Sequence, residues 1–303
     1  MLALRFARAA VVVPLLGAAL SGCGSPAAGA DGAVAVVAST DVYGNLAASL
    51  GGDAVAVTSL LSGAGQDPHS YEASAHDELA LSKAAVVVEN GGGYDEFVGE
   101  LLAAAGSHPS VLDAVEISGH AAPPAGSLNE HVWYDLSSMR RLVTALSRAL
   151  SSADPSHAST FAANARHLAA GLGALQRIEA QLRSRYGGTG VAITEPVPLY
   201  LLDACGLVNR TPPQFSEALE EDTGVGVALL HDTLQLFSDH RVRALVYNAQ
   251  TSGPETDAVI GAAKDAGIAT VPVTETLPEG KGYLAWMHAN LTALARALGG
   301  PKP

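Results

Sequence analysis

The stretch from Asp154 to Tyr186 constrains the fold more than any other part of this chain. Asp154-Pro155 has the form of an N-cap and first helical residue, and Gly187-Gly188 supplies a stop. Between them Phe161, Leu168, Leu172, Leu175, Ile178 and Leu182 recur at helical spacing. At about 1.5 Å per residue such a helix is about 45 Å long, more than one small lobe needs. A helix of that length braces two lobes. Before it, strands are expected at Val34–Ala38, Ala54–Leu60, Ala85–Glu89 and Val111–Ala114, with helices around Tyr43–Leu50, Ala75–Lys83 and Tyr94–Ala105. After it, strands are expected at Gly190–Thr194, Ala244–Asn248 and Thr270–Val273, with helices near Pro213–Asp222, Val227–His240, Thr256–Ala266 and Tyr283–Leu298. Short apolar runs alternating with helical patterns point to βα units and parallel sheets. The expected fold class is therefore α/β. It has an N-terminal lobe over residues 33–153, a long linker helix over 154–187 and a C-terminal lobe over 188–303, each lobe a parallel-sheet βα domain. A ligand cleft is expected between them.

Ahead of the first lobe, Arg5 and Arg8 precede an apolar run from Ala9 to Leu20 that is too short for a permanent membrane span. Residues 1–22 read as a signal peptide. The ending Leu20-Ser21-Gly22-Cys23 resembles the bacterial lipobox, which makes Cys23 the lipid-bearing first residue of the exported chain. Residues 23–32, rich in Gly, Ala, Ser and Pro, read as a flexible tether to the outer face of the cytoplasmic membrane. With Cys23 so used, only Cys205 remains, so the fold must hold without an intramolecular disulfide. Cys205 itself reads as a core residue at a helix end, since neither an evident neighbouring base nor an electropositive setting accompanies it.

Loss of Arg5 and Arg8 moves the net charge from -13 to -15. That balance, with no Lys/Arg cluster, excludes nucleic acid as a partner, because affinity for phosphates rests on basic side chains. Phosphate loops, dinucleotide fingerprints, His-Glu-x-x-His, Gly-x-Ser-x-Gly and Cys-x-x-Cys motifs are all missing. Gly91-Gly92-Gly93 follows a strand without the spacing of a phosphate loop and reads as a turn. An enzyme is not expected.

Chemistry concentrates where strands stop and loops begin. Asp67-Pro68-His69-Ser70-Tyr71-Glu72 delivers a histidine from a proline-stiffened loop. Asn129-Glu130-His131-Val132-Trp133-Tyr134-Asp135 delivers a second, and its Asp is placed to cap a helix starting near Leu136. Ile193-Thr194-Glu195-Pro196 and Val273-Thr274-Glu275-Thr276 each end an apolar strand in a carboxylate. Carboxylates there are costly to desolvate unless paired or bound to a cation. Two neutral imidazoles and two carboxylates balance one divalent ion and offer N and O donors suited to Zn2+ or Mn2+.

At these residues the sequence resembles the zinc- and manganese-binding receptors of bacterial ABC importers. The resemblance rests on Asp67 to Glu72, His131 to Asp135, Thr194-Glu195, and Thr274-Glu275-Thr276 followed by Gly282-Tyr283-Leu284 and Met287-x-x-Asn290-Leu291. It implies two metal ligands from each lobe, His69 and His131, then Glu195 and Glu275. It also implies a linker helix that limits hinge motion, and delivery of the ion to a membrane permease with its cytoplasmic ATPase. The chain is expected to act as a monomer. Two features depart from the pattern: Glu195 stands where zinc-type members often carry His, and Glu275 where Asp is common. The loop from Glu116 to Glu130 is short and holds only His120, a candidate for assisting metal loading. The carboxylates and the short loop lean towards manganese, whereas the order of intrinsic affinities favours zinc.

The other histidines, His76, His108, His157, His167, His231, His240 and His288, read mostly as surface residues. Asp67 and Glu130 are candidates for orienting an imidazole, and Trp133 and Tyr134 for walling the cleft. The rival readings are an adhesin or structural lipoprotein with an incidental metal site, a metallohydrolase, and a chelate or haem receptor. The last fits poorly with 5% aromatic residues.

Overall fold

In the strands, residues pointing to opposite faces are both apolar, which fits sheets covered by helices on each side. The computed structural model describes residues 32–63, 71, 73–124 and 127–299; residues 1–22, expected to be a signal peptide, Cys23 and His69 lie outside them. The first lobe runs β1 (Val34–Thr40), α1 (Asp41–Gly51), β2 (Val55–Leu61), α2 (Ala75–Lys83), β3 (Val86–Glu89), α3 (Phe97–Ala105), β4 (Ser110–Asp113) and α4 (Ala114–Ser118). Then follow α5 (Leu136–Ala153) and the long α6 (Ala158–Tyr186). The second lobe comprises β5 (Gly190–Ile193), α7 (Leu199–Ala204), β6 (Val208–Asn209), α8 (Pro213–Glu220), α9 (Val227–Ser238), β7 (Ala244–Asn248), α10 (Pro254–Asp265), β8 (Ala269–Val273) and α11 (Tyr283–Ala297).

Both sheets are parallel, in the orders β2-β1-β3-β4 and β6-β5-β7-β8. Each therefore reverses its winding direction, between β1 and β3 in one lobe and between β5 and β7 in the other. Such a switch opens a crevice at the carboxyl ends of the strands.

On β1, Val34, Val36 and Ala38 join one core while Val37 joins another; on β7, Ala244 and Val246 divide from Leu245 in the same way. The first of these cores is shared by both lobes. It gathers Tyr43, Leu46 and Leu50 of α1, Met139, Leu142 and Leu146 of α5, and Trp286, Leu291 and Leu294 of α11 around Phe161, Leu168, Leu172, Leu175 and Leu182 of α6. The helical periodicity seen in the sequence thus marks the stripe that fastens both lobes. Hydrogen bonds join the lobes as well, with Tyr134 Oη donating to the Thr274 carbonyl (2.7 Å) and Tyr283 Oη to the Trp133 carbonyl (2.6 Å).

Three local departures from the expected elements have physical causes. Pro155–His157 forms a 3-10 turn before α6, because the Asp154 carboxylate takes the Ser156 N–H and the His157 ring and tightens that turn. The helix expected from Tyr94 starts at Phe97. Gly91, Gly92 and Gly93 all adopt positive φ, and the Asp95 carboxylate accepts from the backbone of Asn90 and Gly91, so Tyr94 is turned inward. Strand β6, only two residues long, offers too little periodicity to be seen in sequence. Cys205 is buried as expected, and burial raises its thiol pKa to about 12.

Candidate metal centre

The carboxyl ends of the strands meet between the lobes. From the first lobe, His131 precedes the short 3-10 turn Val132–Tyr134 and is 1% exposed. Its Nδ1 lies 2.7 Å from Asn129 Oδ1, which can only accept. The imidazole therefore donates through Nδ1 and turns Nε2 to the cleft, the orientation that a metal-ligating histidine takes. The Trp133 ring packs edge-on against it at 5.0 Å, and Tyr94 at 6.1 Å.

From the second lobe, Glu195 leaves β5 and Glu275 leaves β8, 2% and 3% exposed. Asn248, the last residue of β7, donates through Nδ2 to Glu195 Oε2 (2.6 Å) and to Glu275 Oε1 (2.8 Å). Gln250 Oε1 accepts the backbone N–H groups of Glu275 and Thr276, which fixes the turn that carries Glu275. Across the cleft, Tyr94 Oη donates to Glu275 Oε2 (3.0 Å), and His131 Nε2 lies 3.8 Å from the same oxygen. Burial and then the Glu275 charge keep the Tyr94 phenol protonated, well above its ordinary range.

The structure therefore brings together three of the four residues singled out in the sequence: His131, Glu195 and Glu275. The fourth, His69, lies outside the described residues, together with Asp67 and Glu72. The positions flanking that loop are anchored. Gly63 N donates to Asp41 Oδ2 (3.1 Å), and Tyr71 Oη donates to Asp77 Oδ2 (2.9 Å). Asp41 also accepts from Leu277 N (3.0 Å), so one carboxylate ties the start of the loop to the turn after Glu275. Among the described residues no three His, Cys, Asp or Glu side chains are grouped so as to hold a metal ion by themselves.

Sequence reasoning missed Tyr94, Asn248, Gln250 and Glu220. Glu220, at the end of α8, places Oε1 3.3 Å from His131 Nε2. Burial, reinforced by the charges of Glu130, Glu195 and Glu275, raises its pKa to about 9. Asn248 had a readable signal, being at the carboxyl end of a central parallel strand like the glutamates on either side; Glu220, in mid-lobe, had none. His120 is engaged elsewhere: its Nε2 is 3.0 Å from Asp135 Oδ2 and its ring stacks on Tyr200 at 4.4 Å. Asp135 caps α5 as expected, accepting from Ser137 N (2.9 Å). Trp133 and Tyr134 are fully buried behind His131. His76, His108, His157, His167, His231 and His240 are exposed, whereas His288 is half-buried.

What this arrangement offers is the Nε2 edge of one imidazole facing a group of buried carboxyl groups, which are costly to ionise there unless a cation offsets the charge.

Comparisons with known proteins bear on the fold and the family. The manganese-binding lipoprotein MntA of Bacillus subtilis is 28% identical over 261 residues, covering 82% of each chain. A zinc-bound deletion mutant of ZnuA has the same fold, with a TM-score of 0.74 at 20% identity over 89% of this chain and 100% of that one. So does a mutant of the laminin-binding adhesin Lmb from Streptococcus agalactiae, with a TM-score of 0.73 at 19% identity over 88% and 99%. The family described as zinc-uptake complex component A, periplasmic, matches residues 36–297, and the chain belongs to that family.

Proposed function

We propose that this protein is an extracytoplasmic receptor that captures one Zn2+ or Mn2+ ion between its lobes and hands it to the permease of an ABC importer. His69, His131, Glu195 and Glu275 are the ligands; the ion is cargo, not a catalytic cofactor. The chain acts as a monomer held to the outer face of the cytoplasmic membrane by lipid on Cys23. The observation that carries this reading is the meeting of Glu195 and Glu275, both buried, on one amide opposite the Nε2 face of His131. Membership of a metal-uptake family supports the same conclusion, as do the metals named for its relatives. An enzyme would need a general base and an open coordination position for water, whereas four protein ligands close the site. The cavity adjoining the cluster, lined by Asn129, Ile193, Pro196, Leu199, Ser216 and Glu220 among others, holds 130 Å3. Small-molecule sites start at roughly 300 Å3, which disfavours a chelate or haem as cargo.

The test is metal content and competitive affinity for Zn2+ and Mn2+, measured on protein purified without added metal. One equivalent is expected to bind, with at least a hundredfold loss in His131→Ala and in Glu195→Ala. Absence of stoichiometric binding, or wild-type affinity in both variants, would overturn the assignment.

A further inference from the structure

The hairpin of α5 and α6 differs from the rest of the molecule in charge. From Leu136 to Tyr186 it carries seven arginines and no lysine, against Asp154 and Glu179 as its only acidic residues. Beyond it, the exported chain from Cys23 on holds eight basic residues against 28 acidic ones. All seven arginines are exposed, whereas Glu179 is 7% exposed. They form no run in the sequence and gather only when α5 packs along α6. Arg141 and Arg148 stand two turns apart on α5, and Arg166 and Arg177 about three turns apart on α6, so each pair shares one side of its helix. That side is opposite the buried stripes through Leu142 and Leu146 of α5 and Leu168 and Leu175 of α6.

Along the seam, Arg140, Arg141 and Arg148 line a groove of 690 Å3 with Ser137, Thr144 and Gln176. Its volume falls within the roughly 300–1,000 Å3 of small-molecule sites, so a phospholipid headgroup fits. Arg140 and Arg177 converge over Gly173, where a Cβ would lie 3.6 Å from Arg140 Nη1 and 3.9 Å from Arg177 Nη1. Among the described residues Arg141 is the one arginine of the seven paired with a carboxylate, Asp135 at 3.7 Å, and Arg148 and Arg177 make no hydrogen bond or ion pair. Exposed guanidinium groups held close together suit phosphate, which they bind through paired N–H bonds.

The chain enters the fold beside this hairpin. Val34 pairs with Val55, just past α1, and the Leu50 carbonyl at the end of α1 accepts from Asn164 Nδ2 of α6 (2.8 Å). From Cys23 to Val34 the chain reaches at most about 40 Å, comparable with the length of α6. The net negative charge of the whole does not prevent contact with an anionic bilayer. At physiological ionic strength, charges more than about 8 Å away are largely screened, so the bilayer senses the face nearest to it.

We propose that the outward side of the α5–α6 hairpin rests on anionic phospholipid and fixes the pose in which the receptor is held at the membrane. This rests on the proposed function only for the placement of the chain at the membrane.

The experiment uses residues 23–303 without lipid, which keeps every described residue and makes the outcome independent of acylation. The protein is mixed with vesicles of phosphatidylcholine, either pure or with an equal part of phosphatidylglycerol, and bound protein is measured by co-sedimentation. Binding to the mixed vesicles is expected to exceed that to neutral ones at least about tenfold, and to weaken as salt is raised. At about fivefold per arginine near an anionic surface, the pair Arg148→Gln and Arg177→Gln should weaken it about 25-fold. Lys83→Gln with Lys264→Gln makes the same charge change at exposed positions in α2 and α10, and should leave binding close to wild type. Equal binding to neutral and anionic vesicles would overturn the proposal, as would equal losses in the two pairs or wild-type binding by the arginine pair. Release from the vesicles by inorganic phosphate, but not by chloride at matched ionic strength, would assign the arginines to a free anion and overturn it too. Zn2+ and Mn2+ affinities of the arginine pair should equal those of wild type. Failure of the wild-type protein to bind metal removes the receptor reading, whereas the membrane face stands or falls on vesicle binding.

Discussion

Replacing Glu179 by Gln should stabilise the protein at pH 8 and lose most of that advantage at pH 5. Glu179 lies in α6 on the face turned towards the second lobe, 7% exposed, and its Oε1 makes no hydrogen bond among the described residues. Burial is the main cause of its raised pKa, about 7 against an ordinary 4.5; Asp135 pushes in the same direction and Arg183 opposes it. Arg183 offsets little, since its guanidinium donates to the Ala204 carbonyl at 2.9 Å and to the Asp203 carbonyl. The other titratable neighbours, Cys205 and Tyr283, are buried and neutral, their own pKa values raised partly by Glu179. The native state therefore holds this proton more tightly than the unfolded chain. Its contribution is full below pH 4.5 and is lost as pH rises through about 7. At about 1.4 kcal/mol per pKa unit the whole effect is at most about 3.5 kcal/mol, of which about 2.5 falls between pH 5 and 8. Urea unfolding of both proteins in metal-free buffer, with the difference in free energy compared at the two pH values, measures it directly. A difference that does not change with pH would show that Glu179 is ionised without penalty in the fold, and the reasoning from its burial would fail.

Two further outcomes are expected. Leu172→Ala, a fully buried position in the core shared by the lobes, should cost about 2–5 kcal/mol. It should lower one common transition, followed through Trp133 and Trp286; two separate transitions would contradict the shared core. Metal affinity should fall as pH drops from 7.5 to 5.5, because both imidazoles must be neutral to bind; a flat profile in competition titrations would refute two histidine ligands.

The fold was legible wherever burial imposed a period. The α6 stripe from Phe161 to Leu182 and the doubly apolar strands β1, β3 and β7 are direct consequences of which faces are covered, so the sequence had to display them. Strand β6 and the start of α3 were not legible, for different reasons. Two residues of strand carry no period, and the inward turn at Tyr94 depends on a hydrogen bond from Gly91 to Asp95 together with three consecutive left-handed glycines. Those are tertiary and conformational facts that composition reports only as a turn.

The site divides along the same line. Glu195 and Glu275 stand out because a carboxylate ending an apolar strand is anomalous on solvation grounds, and His131 because aromatic residues and a helix cap follow it. Asn248 does not stand out, since a neutral amide at a strand end costs little to bury once bonded. Its importance emerges only when three strands from one sheet bring two carboxylates to the same NH2 group. Glu220 is hidden more deeply, because it ends a helix and not a strand, and only the tertiary fold sets it 3.3 Å from His131. Sequence thus reveals residues whose chemistry is costly in their local setting. Those that offset the cost come from elsewhere in the chain, where no local pattern marks them.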